Sequence, residues 1–251
     1  MRRSSGSRAS TAEHERIDEV QGRTYALEMS RIERIEVDDG DVPVSVLDPQ
    51  DPSVVPALLV IPSIFGPAPD LLERLAVLAD NTLVAIPDPF WRTGEGALDY
   101  SDRDTAIGRL ADFDPAASGR EMATVAAWAR QASNGFVVAV GICFGGPFVL
   151  GLAAEGLVNG VVTWHGSRMQ NSLELVPRIA CPVRHHIGGA DPVVPPDALA
   201  AIRAGFAEHP DCEIVVHPGA GHGFSHDGND WDESAYQAGL VDVVTLLDRH
   251  R

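Results

Sequence analysis

The sequence predicts one α/β domain with a mostly parallel central sheet flanked by helices. Short continuous apolar runs of the kind that fill buried parallel strands recur along the chain, among them ALLVI, LVAI, FVVAV and GVV. Stretches with helical spacing separate them, so strand and helix alternate almost throughout. A chain of 251 residues admits one large domain or two small ones. No linker composition and no internal repeat follow residue 50, which selects a single domain, and 45% apolar residues suffice for a substantial core.

Residues 1–22 are polar, rich in Ser, Arg and Glu and without apolar periodicity; they are expected to form a poorly ordered tail ahead of a domain spanning 23–251. From Thr24 to Leu47, alternating patterns on either side of Asp38-Asp39-Gly40-Asp41 spell a β-hairpin. A Pro-broken segment leads into ALLVI, the first buried strand; LLERLAVLAD has helical spacing and TLVAIP is a second buried strand. Residues 89–114 are irregular, polar and too long for a simple connection, which marks an excursion at the strand ends, where loops carry function. Beyond it the pattern predicts helices over 115–133, 144–156, 196–209 and 233–250, and strands over 135–141, 159–166, 181–189 and 212–219.

Thirty-six acidic against 19 basic residues leave a net charge of −17, which repels phosphate backbones and anionic lipid and argues against nucleic-acid and membrane partners. Cys143, Cys181 and Cys212 make neither a CxxC nor a Cys/His cluster in sequence, and their odd number completes no disulfide framework. No apolar run approaches a membrane span, and the N-terminal stretch lacks the apolar core of a signal peptide. A cytoplasmic protein, monomeric or a small homo-oligomer, is the expectation.

Chemistry concentrates at Gly141-Ile142-Cys143-Phe144-Gly145-Gly146, between a predicted strand and a predicted helix. This is the setting of the G-x-S-x-G nucleophile elbow of α/β-hydrolases, here with Cys for Ser. A nucleophile on so sharp a turn sits in a strained backbone conformation, and the residues two before and two after it must lack side chains for strand and helix to approach. Gly141 and Gly145 meet that demand. Sulfur at a helix N-terminus is favoured as thiolate, and the Phe144 N–H can point at an oxyanion. The same residues also read as a buried structural Cys in a Gly-rich turn, or as a phosphate cradle.

Such an elbow is served by an acid after a late strand and a histidine in a late loop, in that chain order. Asp191, in GGADPVVP, and His222, in GAGHGF, fall at those places. An Asp before Pro equally starts a turn or caps a helix. His165, at a strand end, is the main rival of His222 but precedes the acid.

With these residues the chain resembles the dienelactone hydrolases, α/β-hydrolases with a Cys-Asp-His triad, over about residues 30 to 250. The matching stretches are DDGDVPVSVLDP, ALLVIPSIFG, VAIPDPFWRTG, SNGFVVAVGICFGG, GGADPVVP and GAGHGF. The resemblance implies the α/β-hydrolase fold, an enol-lactone substrate such as dienelactone, and no metal or cofactor. It implies Cys143 as nucleophile, His222 as base, Asp191 as its orienter, and the N–H groups of Ile64 and Phe144 as oxyanion donors. Two positions depart from the family pattern: its Glu before I-F-G is Ser63 here, and its Arg after the histidine is His226, a weaker anion clamp.

Arg92 matches the family's other substrate-binding Arg and could hold a carboxylate through a fork of hydrogen bonds. It reads equally as a surface Arg neutralising nearby Asp residues. Phe65, Phe90, Trp91 and Phe224 are either pocket lining or ordinary core. The expected function is hydrolysis of an ester or lactone through a Cys143 thioester. The alternatives are a general carboxylesterase or thioesterase on the same scaffold and, further off, a catalytically silent binder of small carboxylates.

Overall fold

The alternating stretch around Gly40 folds back on itself: strand β1 (Ser30–Val37) pairs antiparallel with β2 (Gly40–Leu47), with Val37 opposite Gly40. The structure, a computed structural model, describes residues 30–250, so the expected tail and the first residues of the hairpin lie outside the described residues. The indole of Trp91 fills the space a side chain at Gly40 would need.

The apolar runs form β3 (Ala57–Ile61), β4 (Leu83–Pro87), β5 (Val137–Ile142), β6 (Gly160–Trp164) and β7 (Val183–Gly188), each buried along its whole length. The last strand, β8 (Cys212–His217), is half-buried at the sheet edge. The eight strands run in the order β1-β2-β4-β3-β5-β6-β7-β8. Only the β1–β2 and β2–β4 pairs are antiparallel; the rest are parallel. A fully buried parallel strand needs cover on both faces.

The helices are α1 (Pro69–Leu75), α2 (Trp91–Gly94), α3 (Arg103–Gly108), α4 (Pro115–Gln131), α5 (Gly146–Ala154), α6 (Pro196–Gly205) and α7 (Glu233–Asp248), and α1, α4, α5, α6 and α7 supply that cover. Successive strand residues point to opposite faces. Leu59, Ile61 and Ala139 therefore join Val125 of α4, Leu150 of α5 and Ile202 of α6 in one apolar layer. Leu58, Val60 and Val140 join Leu72 of α1 and Val243 of α7 in the other. Each fully buried aliphatic side chain is worth about 1.5–3 kcal/mol in this sandwich. Asp114 caps α4 through the N–H groups of Ala116 and Ala117, with Pro115 at the first helical position; Asp232 caps α7 through Ala235 N–H.

Two places depart from the sequence reading. The excursion over 89–114 contains α2 and α3, and buried Asp88 organises its start by accepting hydrogen bonds from the N–H groups of Phe90 and Gly96. Residues Met169–Arg178 form a 3-10 segment with a kink at the non-helical Ser172 and Pro177 inside it, a stretch to which the sequence reading assigns no element. No helix among the described residues is long and apolar enough to cross a membrane.

Candidate active site

At the end of β5 the chain turns through the 3-10 segment Cys143–Gly145 directly into α5. Cys143 has φ 50°, the left-handed region that costs an L-residue about 1–2 kcal/mol. The flanking glycines make this turn possible. A Cβ on Gly145 would lie 2.1 Å from the Ile61 carbonyl oxygen, and one on Gly141 2.7 Å from the Gly145 carbonyl oxygen. The Cys143 side chain sits largely within the α1/α7 apolar layer at 9% exposure, yet its sulfur meets a polar partner.

That partner arrives from two loops stitched together beyond the sheet. Gly189 N–H donates to the His217 carbonyl and Ala190 N–H to the Ala220 carbonyl, which ties the β7 end to the loop after β8. Gly188 has no room for a side chain, since a Cβ would lie 2.4 Å from the Ala220 carbonyl oxygen. Asp191 is buried and does two things at once. Its Oδ1 accepts from Val193 N–H at 2.7 Å, the turn role, while its Oδ2 takes His222 Nδ1 at 2.8 Å. His222 Nε2 lies 3.0 Å from Cys143 Sγ. Burial opposes the imidazolium form of His222, but the hydrogen bonds to Asp191 and Cys143, then their charges, outweigh it and raise the pKa to about 10.

His165, the rival in sequence, belongs to the same cluster. Parallel register sets Trp164 beside Ile142, so the next residue of each strand emerges at the same place. The His165 ring meets that of His222 edge-on at 4.9 Å, and its Nε2 lies 2.8 Å from the hydroxyl of buried Ser225. Its Nδ1 is buried without a partner. Burial, then the charges of His226 and His222, push His165 well below 6.5, so it stays neutral. The sequence reading used neither Ser225 nor this contact; strand-end alignment was the available signal.

The remaining predicted residues divide. No hydrogen bond engages the Ile64 N–H within the described residues, and the Phe144 N–H is a helix-start donor without an intrahelical partner. Ser63 is buried, and its hydroxyl accepts from Phe65 N–H at 3.4 Å, shaping the loop that carries Ile64. Phe65 stands edge-on to Tyr100 and His226.

The other candidate substrate contacts have neighbours within the protein itself. His226 is partly buried, stacked on Tyr100 at 4.5 Å, and burial and the His222 charge lower its pKa to about 3, which keeps the imidazole neutral. Arg92 is committed to the protein's own carboxylates, Glu121 and Asp39, each at 2.5 Å. Trp91 donates its indole N–H to Glu121 and packs over the hairpin turn. Phe224 has no exposed surface, and neither has Phe90; both are core. Beside the elbow, Phe144, Phe113, Pro147 and Phe148 wall a largely apolar cleft of about 630 Å³, which Arg120 and Arg168 also line.

The family model of the dienelactone hydrolase family matches residues 42–250. The chain belongs to that family. This dienelactone hydrolase family member is 28% identical over 200 residues to carboxymethylenebutenolidase 1 of Cupriavidus pinatubonensis, covering 76% of this chain and 85% of that protein. It is 34% identical over 180 residues to a carboxymethylenebutenolidase of a Pseudomonas species, covering 68% and 74%. A crystal structure from Klebsiella pneumoniae subsp. pneumoniae shares the fold with a TM-score of 0.76 at 22% identity, over 87% of this chain and 98% of that one. The chain is accordingly a hydrolase of the dienelactone hydrolase type, acting on ester or lactone bonds.

Proposed function

We propose that Cys143 opens an ester or lactone through a thioester, with His222 carrying the proton and Asp191 orienting His222. One observation carries this reading: Sγ, Nε2, Nδ1 and Oδ2 form an unbroken line of contacts, 3.0 and 2.8 Å, at the end of a strained turn. With the proton on His222, the sulfur attacks as thiolate. A C–S bond forms at the carbonyl carbon, and the oxyanion is stabilised by the N–H groups of Ile64 and Phe144. The C–O bond then breaks as His222 protonates the leaving oxygen. In the second half His222 takes a proton from water, hydroxide attacks the thioester, and thiolate leaves. Thiolate leaves a tetrahedral intermediate more readily than an amine does, so an ester suits this site better than an amide.

The direct contact between His222 and Cys143 supports activation of the thiol at rest, without the carboxylate that the family carries at the place of Ser63. Acid-quenched enzyme mixed with a p-nitrophenyl ester should carry the acyl group on Cys143, read by mass spectrometry. An acyl group found elsewhere, or full turnover by Cys143→Ala, refutes the assignment. A free thiol is kept reduced in the cytoplasm, the compartment proposed for this chain.

The relatives' names make an enol-lactone bearing a carboxylate the first proposed substrate. A second reading, a general carboxylesterase, is favoured by Arg92 and His226, neither of which offers a free positive charge. Aryl esters of apolar acids would then fill the cleft beside Phe144. Comparing kcat/KM for dienelactone and for such esters separates the two.

A further inference from the structure

We infer that Cys143, His165 and His222 form a binding site for a borderline-soft divalent cation of the Zn²⁺ class, whose occupancy silences the thiol. The sulfur and one ring nitrogen of each histidine all lie within 4.8 Å of one another. Thiolate with two imidazoles is a ligand set such cations take tetrahedrally, leaving a fourth position for water.

Three features beyond proximity carry the inference. The ring of His165 is fully buried, and its Nδ1 has no hydrogen-bond partner in the protein, a cost that a bound ion would offset. His222 holds Asp191 through Nδ1, which turns its Nε2 toward the sulfur. His165 holds the Ser225 hydroxyl through Nε2 in the same manner. Each imidazole thus has one nitrogen fixed by an oxygen, while the second nitrogen meets the sulfur in His222 and has no partner in His165, the outer-shell arrangement found around histidine metal ligands.

Bond lengths of about 2.3 Å to sulfur and 2.0–2.1 Å to nitrogen set the Sγ–Nε2 separation at roughly 3.5 Å. The observed 3.0 Å contact opens slightly, and the three ligand atoms, all within 4.8 Å of one another, adjust to that spacing. The proton shared by Sγ and Nε2 leaves to solvent, and both lone pairs go to the cation. Neither the nucleophile nor its base is then available, so the ion acts as a reversible inhibitor rather than a cofactor.

Titration of the full chain with Co²⁺, a spectroscopic stand-in, should give one equivalent of tetrahedral d–d absorption with a sulfur-to-metal charge-transfer band. The band should be absent in Cys143→Ser. Zn²⁺ should displace Co²⁺ and stop ester hydrolysis, and EDTA should restore it. His165→Gln should weaken Co²⁺ binding by about tenfold or more, and Ser225→Ala by about threefold to tenfold. Should His165→Gln fail to fold, Ser225→Ala carries the test. A six-coordinate Co²⁺ spectrum without the sulfur band, or equal affinity in folded variants, overturns the inference and shows adventitious binding. The absorbance is read without substrate, so this site stands or falls separately from the thioester mechanism.

Discussion

Two polar clusters in this molecule are built alike in outline and differ in what holds them. One is Cys143, His222 and Asp191 beyond the ends of β5, β7 and β8; the other is Arg92, Glu121 and Asp39 beside the hairpin. Each joins three distant segments and pairs a cationic side chain with carboxylate. In the first, the main chain sets the atoms: a left-handed Cys143 and glycines pressed against carbonyl oxygens leave short side chains almost no freedom. In the second, a long Arg stem reaches out at 33% exposure to an Asp39 that is 68% exposed. Such an ion pair contributes about 0–1 kcal/mol in water. The sequence motif around Arg92 is intact, but a flexible cation goes to whichever carboxylate the fold brings near.

The sharpest way to break the contrast is at the sulfur. Cys143→Ala should lower ester turnover by about 10⁴-fold or more, measured as kcat/KM, whereas an undiminished rate would end the thioester mechanism. Asp191→Asn should cost about 10²–10⁴-fold, because the orientation and charge of His222 are lost while the fold survives. Gly145→Ala tests the backbone itself. With its Cβ overlapping the Ile61 carbonyl, it should lose about 3 kcal/mol or more of stability by urea unfolding, and a neutral result would mean that the turn relaxes freely.

A subtler effect follows from pH. His222 is raised in the folded chain, from 6.5 to about 10, so its contribution to stability is complete below the lower value and fades as pH rises through the upper one. The difference in urea midpoint between the native chain and His222→Gln should therefore shrink from pH 6.5 to pH 10.5. A constant difference would place the proton elsewhere. Arg92→Gln should do least, changing KM for an anionic ester by less than about threefold. A tenfold rise would return Arg92 to the pocket.

Much of this arrangement was legible before any coordinates. Apolar runs of five or six residues announced the buried strands, and the glycines around Cys143 announced the turn, because both signals are local. Asp191 and His222 were legible through chain order and their loop settings. His165 was set aside because it precedes the acid, yet parallel register carries it to the same place. The two short helices of the excursion depend on the buried Asp88 and on the capping Asp102, and a polar sequence with little periodicity does not advertise them.

By itself, then, the sequence determined the alternation of strand and helix, the sharp turn, and the residue types able to do acyl chemistry. Those properties follow from side-chain volume, backbone freedom and periodicity within a few residues. Tertiary structure alone decided who meets whom: His165 and Ser225 joining the sulfur cluster, Arg92 drawn to Glu121, His226 stacked on Tyr100 and kept neutral. Charge state and pairing depend on distances across the fold, which no local pattern contains.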